Sequence, residues 1–116
     1  MIENIDISGR NYEIDEKVTK YISKKLGKLD KYLPKHAKDS AHLEVILTDD
    51  RKTVNHSTCE LILNVPKAKL VVKDSTINMF AAIDIVEEKL KTQIRKYKEE
   101  HEPAKIAKMR SKIKKD

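Results

Sequence analysis

Among its 116 residues the chain has one cysteine, two glycines, three prolines and no tryptophan. A lone Cys59 excludes an internal disulfide and leaves redox or cysteine–zinc motifs nothing to build on. With only Gly9 and Gly27, there is no glycine-rich loop of the kind that cradles phosphates. No apolar run approaches the ~20 residues a membrane span needs, and the opening Met1-Ile2-Glu3-Asn4 lacks the basic-then-apolar layout of a signal peptide. These absences point to a cytoplasmic protein with no membrane partner. His36, His42, His56 and His101 have no metal-ligand spacing among them, so no metal or cofactor is implied. Asp49 and Asp50, with Glu44 and Glu60, suit a polar hairpin better than a pair of catalytic carboxylates. Enzymatic activity is the least favoured class.

What the chain has in abundance is charge. Its 25 basic residues outnumber 19 acidic ones, for a formal net charge of +6 and a sequence pI near 9.3. Such a balance favours a polyanionic partner, either nucleic acid or anionic lipid. The length fits one domain with a modest core that needs no metal or disulfide. Helical periodicity fades beyond Glu99, and Glu102-Pro103 breaks it. The chain therefore divides into a domain over residues 1–101 and a basic tail, expected to be disordered, over residues 102–116.

Within the domain the hydrophobic period changes twice. Ile5 and Ile7 alternate with polar neighbours from Ile2 to Ser8, which predicts a first strand ending at a Gly9-Arg10-Asn11 turn. Asp15 then serves as N-cap of a helix in which Val18, Ile22, Leu26, Leu29 and Leu33, with Tyr21 and Tyr32, keep helical spacing until Pro34 stops it. Gly27 interrupts the pattern at a cost of roughly 1 kcal/mol, so the helix bends there or a neighbour packs too closely for a side chain. Leu43, Val45 and Leu47, and later Cys59, Leu61, Leu63 and Val65, alternate with period two and predict two strands joined by a polar connection over Thr48 to Asn55. Pro66-Lys67-Ala68 leads to a short fourth strand at Leu70, Val71 and Val72. Asn78 to Lys98 is the second long helix, its buried stripe formed by Met79, Ile83, Val86, Leu90, Ile94 and Tyr97. The expected fold is α+β in the order β-α-β-β-β-α, a four-stranded sheet with two roughly parallel helices on one face and the other face solvated.

Both helices segregate their cations. Lys17, Lys24, Lys28 and Lys31 fall on one flank of the first, away from Glu16, Ser23 and Asp30. Lys91, Arg95 and Lys98 follow one another at steps of four and three along one flank of the second, with Lys89 and Lys96 on its far side. Parallel helices in the right order would bring the two rows together across a shared groove suited to phosphates. Lys20, Lys25, Lys89 and Lys96 are weaker candidates. Tyr21, Tyr32 and Tyr97 lie on apolar faces, where core packing is favoured over base stacking.

Two segments carry a family resemblance. Lys25-Leu26-Gly27-Lys28-Leu29-Asp30-Lys31-Tyr32 resembles the K-I/L-G-K-L-x-K/R-Y/F segment of the bacterial ribosome hibernation factors, which include the hibernation-promoting factor and the ribosome-associated inhibitor. Asn78-Met79-Phe80-Ala81-Ala82-Ile83-Asp84 resembles the D-M-Y-A-A-I-D opening of that family's final helix, and Lys89-Leu90 with Gln93-Ile94-Arg95-Lys96 continues it. Asn78 replaces the usual aspartate and Phe80 the usual tyrosine; asparagine still caps a helix, while the missing phenol removes one possible hydrogen bond. The resemblance spans residues 2 to 100 and implies a short form or an N-terminal domain. It further implies binding to the small ribosomal subunit and its 16S ribosomal RNA at the decoding cleft, blocking messenger and transfer RNA and so inhibiting translation under stress or in stationary phase. A monomer that does not itself bridge ribosomes is expected.

Two other readings stay open. A general RNA-binding module would use the same basic helices. A membrane-surface module would use the tail, although Ile106, Met109 and Ile113 there come without an aromatic anchor. The tail holds Lys105, Lys108, Arg110, Lys112, Lys114 and Lys115 with little apolar support. Deleting residues 104–116 is therefore expected to leave the melting temperature nearly unchanged and to weaken RNA affinity modestly, with a large loss of thermal stability as the opposing result.

Overall fold

A computed structural model describes residues 2–101; the basic tail expected from residue 102 lies outside the described residues. The elements are β1 (Asn4–Arg10), α1 (Glu16–Leu26), a 3₁₀ segment (Gly27–Tyr32), a one-turn α2 (Lys35–Lys38), β2 (His42–Asp49), β3 (Ser57–Val65), β4 (Ala68–Thr76) and α3 (Met79–His101). The four strands form one sheet in the order β1-β2-β3-β4. β1 pairs in parallel with β2, while β2–β3 and β3–β4 are antiparallel. A parallel neighbour needs a crossover, and α1 with the segments after it supplies one. The fold is the expected α+β order.

Strand alternation sets the two faces. Leu43, Val45 and Leu47 of β2 and Cys59, Leu61 and Leu63 of β3 are fully buried and sit opposite one another in register. Val18, Ile22 and Leu26 of α1, Leu29 of the 3₁₀ segment, and Ile83, Val86, Leu90 and Ile94 of α3 complete the same core cluster. α3 lies over β3 and β4 and also meets α1 and the 3₁₀ segment. The other sheet face is polar apart from Ile46, Ile62 and the exposed Val71, which sits opposite Ile62 in register.

Local chemistry explains the boundaries. Asp15 caps α1 by accepting from the Val18 N–H at 2.8 Å. Asn78 caps α3 by accepting from the N–H groups of Phe80 at 2.8 Å and Ala81 at 3.2 Å, so the asparagine does the work of an acidic cap. Four boundaries differ from the sequence expectation. The first helix does not run to Pro34; at the buried Gly27 it tightens into the 3₁₀ segment, and the Gly27 carbonyl accepts from the Ile2 N–H at 3.0 Å. Pro34 opens α2, a place where a missing N–H costs nothing. β4 is nine residues long because ladder pairing with β3 carries it through Lys73 to Thr76, where the apolar pattern has ended. Between β3 and β4 only Pro66 and Lys67 turn the chain, with Lys67 left-handed at φ 66.

The remaining difference is at Gly9, which stays in β1 opposite Leu47, with Arg10 also paired, so the turn begins at the left-handed Asn11, φ 56. The chain doubles back so tightly that a Cβ on Gly9 would stand 2.2 Å from the Tyr12 carbonyl oxygen and 3.3 Å from Ile14. The obstacle is backbone, which cannot rotate away. Gly9→Ala is expected to cost about 1–3 kcal/mol, the range for forced overpacking, read as a lower denaturant midpoint with an unchanged slope.

Candidate nucleic-acid interface

α1 and α3 run parallel, as the contacts between them advance together along both chains. Tyr21 meets Phe80 and Asp84, Lys25 meets Asp84 and Glu87, and Tyr32 meets Lys91. The Tyr21 hydroxyl donates to Asp84 Oδ1 at 2.6 Å, which together with partial burial raises the phenol pKa. Lys25 Nζ lies 3.4 Å from Asp84 and 3.7 Å from the buried Glu87, and those two carboxylates raise its pKa, Glu87 foremost. Further along, the Tyr32 ring lies beneath two ammonium groups, Lys31 Nζ at 5.1 Å and Lys91 Nζ at 5.7 Å from its centroid. Lys91 also donates to Glu88 at 3.1 Å, the main cause of its raised pKa.

These contacts frame a groove of about 280 Å³ lined by Lys24, Lys25, Lys28, Lys31 and Lys91, with Leu29 and Tyr32, and by Glu87 and Glu88. Five lysines face two glutamates there, leaving the groove net positive. Lys24 and Lys28 make no ion pair with another described residue, and both are exposed. Lys17 and Lys20 stand further up α1 beside a second hollow, Lys20 tied to Glu16 at 2.9 Å. Arg95 and Lys98 continue the flank of Lys91 one and two turns on, Arg95 exposed and Lys98 half-buried, but do not line the groove. Lys96 is exposed on the other side of α3. Lys89 lies outside the groove and donates to Asp74 of β4 at 2.8 Å.

Sequence reasoning missed the acidic half of this flank. Stepping back from Lys91 by threes and fours reaches Glu88 or Glu87, Asp84 and Phe80, so the signal was the same helical period that gathered the lysines. Tyr97 is buried, donating to the Pro66 carbonyl at 2.9 Å, whereas Tyr21 and Tyr32 are only half-buried. The Cys59 thiol is pushed up to about 12 by burial, which leaves it protonated and inert. His42 pairs with Asp6 at 2.6 Å and His56 with Asp49 at 2.9 Å. Among the described residues no group of His, Cys, Asp and Glu is placed to hold a metal ion, and no helix is long and apolar enough to cross a membrane.

A β-α-β-β-β-α order with two parallel helices on one face of a four-stranded sheet defines a class of small α+β domains, and comparison gives this one a family. The chain belongs to the family described as Sigma 54 modulation protein / S30EA ribosomal protein, whose profile matches residues 5–102. It is 36% identical over 94 residues to the ribosome hibernation promotion factor of Lactococcus lactis subsp. cremoris, covering 80% of this chain and 48% of that protein. To the factor of the same name from Deinococcus radiodurans it is 33% identical over 92 residues, 79% of this chain and 47% of that one. The chain thus spans about half the length of these curated relatives. Among solved structures it is similar to the N-terminal domain of Thermus thermophilus Protein Y, with a TM-score of 0.70 and 28% identity over 81% of this chain and 98% of that one. A ribosomal subunit interface protein from Coxiella burnetii shares the fold, with a TM-score of 0.68 at 20% identity over 82% of this chain and 97% of that one.

The Lys89–Asp74 pair gives a pH test. Its hydrogen bond with Lys89, then the Ser75 N–H at 2.7 Å, hold the Asp74 carboxyl below its ordinary value of 3.8. A depressed carboxylate stabilises the fold above its ordinary pKa and loses that contribution as pH falls through the lowered value. Lys89→Ala is expected to lower the urea midpoint at neutral pH, and the gap from the native protein should close as Asp74 protonates in acid. A gap that persists unchanged through that range would rule out the pair as its cause.

Proposed function

We propose that this protein is a ribosome hibernation factor. It binds the small ribosomal subunit in the decoding cleft, sets its basic helices against 16S ribosomal RNA, and inhibits translation by occupying the space of messenger and transfer RNA. The carrying observation is the parallel packing that brings Lys24, Lys25, Lys28 and Lys31 to one groove with Lys91. Family membership and relatives named as ribosome hibernation promotion factors support the same reading. The proposed protein acts in the cytoplasm as a monomer, under stress or in stationary phase, and performs no chemistry on its target.

The physics of such binding is counterion release. Each phosphate neutralised by a lysine or arginine frees condensed cations, so affinity falls steeply with salt. A folded RNA cleft is recognised by backbone and form more than by base edges. Lys17, Lys24, Lys28 and Lys31 act as point charges, whereas Arg95 supplies a planar fork for a bidentate phosphate contact. Lys25 and Lys91 begin paired with Asp84, Glu87 and Glu88 and must share their protons between carboxylate and phosphate. Lys20 and Lys96 have peripheral places, and Lys98 extends the row beyond Arg95.

Co-sedimentation with purified small subunits tests the reading. Lys28→Glu combined with Arg95→Glu is expected to abolish binding and inhibition with the melting temperature preserved, because both side chains are exposed. Single lysine-to-alanine changes should each reduce the slope of log affinity against log salt by about one. A double mutant that still protects the decoding cleft from chemical probes sinks the proposal. An equal mass of duplex RNA that competes as well as subunits favours a general RNA-binding module instead.

A further inference from the structure

Beyond the groove, α1 and α3 share a second concavity that charge alone does not explain. The rings of Tyr21 and Phe80 meet edge to face, centroids 5.0 Å apart at 87°. Both are half-buried, and with Lys17, Lys20 and Lys24 they line an open hollow of about 410 Å³. Phe80 has no polar atom to place at the surface, yet its ring stands on the basic flank of α3, in line with Asp84 and Lys91, packed against the edge of the core with part of it left open. Its neighbour Met79 lies in the core, buried together with Ala82 and Ile83. Tyr21 is fixed in place by its bond to Asp84 and by Lys25 Nζ, 5.9 Å from the ring centroid. The pair is therefore a pre-oriented aromatic surface.

The rim supplies the rest of a nucleotide site. Lys17 and Lys24 stand on the same side of α1, two turns or roughly 10.5 Å of helix rise apart, and neither makes an ion pair with another described residue. Lys20 between them is held by Glu16. An aromatic face between uncompensated cations matches an unpaired base carrying its own flanking phosphates: the base takes the ring, the phosphates take the ammonium groups. An acidic peptide would use the lysines but would gain nothing specific from the rings.

We infer that Phe80 and Tyr21 form a stacking platform for one unpaired RNA base, with Lys17 and Lys24 gripping the phosphates on either side of it. The inference rests on reading this face as an RNA surface and adds a site for single-stranded RNA that the phosphate groove does not require. Stacking is indifferent to base identity, because every base has a π face. The site holds an extruded nucleotide in place without reading a sequence.

A short single-stranded RNA with one central 2-aminopurine tests this on the full chain at low salt, apart from any ribosome. Quenching at saturating protein is expected for the native chain and for Phe80→Tyr. Phe80→Leu should lose the quench and bind roughly tenfold more weakly, with its salt slope unchanged, in line with the loss of one base–aromatic stack. Lys24→Ala should weaken binding and flatten the salt slope while keeping the quench at saturation. In the native chain itself, titration of the RNA should shift the ring-proton resonances of Phe80 and Tyr21, so the result does not depend on a variant that folds. No quench and no ring shifts overturn the platform. So does Phe80→Leu binding with native affinity, which would leave only the lysines at work, as for a site that polyglutamate occupies equally well. Quenching without small-subunit binding would sink the ribosomal reading alone; subunit binding without quenching would sink the platform alone.

Discussion

The bond from the Tyr21 hydroxyl to Asp84, with Lys25 bridging Asp84 and Glu87, fixes the register between α1 and α3 on which the presented surface depends. Magnitudes separate its role from that of the core. Exposed or half-exposed ion pairs contribute about 0–1 kcal/mol, while each fully buried Leu, Ile or Val contributes about 1.5–3 kcal/mol. Ile22, Leu26, Ile83, Val86 and Leu90 therefore supply most of the energy that holds the two helices on the sheet. The polar clasp adds direction. It pins Tyr21 to Asp84 and thereby sets Lys24 to Lys31 opposite Glu87 to Lys91, one turn at a time.

The sheet makes that side-by-side arrangement possible. α3 occupies the β3–β4 half, which leaves the β1–β2 half to the crossover that a parallel β1–β2 pair requires. Parallel helices then follow from the strand order, since each helix returns the chain from the same end of the sheet. The bond between the Ile2 N–H and the Gly27 carbonyl ties the end of α1 to the approach of β1. At that same point the helix tightens into 3₁₀ form, which redirects Lys28 and Lys31 relative to the line of Lys17 and Lys24. Because of this turn, Lys31 and Lys91 reach the same Tyr32 ring.

Wherever hydrophobic alternation was strong, the fold was legible from sequence. Leu43, Val45 and Leu47 and their partners in β3 gave both strands, and the caps Asp15 and Asn78 gave both helix starts. Legibility failed where backbone pairing outlasted the apolar pattern, as in Lys73 to Thr76, or where sterics acted through a carbonyl, as at Gly9 beneath Tyr12. The cationic rows were visible as helical periods, but their partners were not. Lys89 falls on Asp74, and Lys25 on Asp84 and Glu87, only because of where β4 and α1 lie in space. Phe80 read only as a replacement for a tyrosine; its place beside Lys17 and Lys24 depends on where α1 lies against α3.

Carboxylates inside a proposed phosphate-binding groove require a physical account, because a phosphate close to Glu87 or Glu88 meets a like charge. Over a screening length of ~8 Å at physiological ionic strength that repulsion is local, so it acts on phosphates placed wrongly and spares those a few ångströms away. A free lysine side chain carries up to ~2 kcal/mol of rotamer entropy that binding must remove. Lys25 and Lys91, already oriented by Asp84, Glu87 and Glu88, have surrendered part of it before any ligand arrives. In the proposed complex the acidic residues thus reduce total charge but sharpen its placement: Lys24 and Lys28, which have no ion pair among the described residues, supply long-range attraction, and the paired lysines supply fixed donors. Like-charge exclusion of this kind disfavours generic polyanions relative to a surface whose phosphates follow the lysines and avoid the glutamates. On the proposed reading, in which one folded cleft is selected from a cell full of RNA, that discrimination is worth more than additional positive charge.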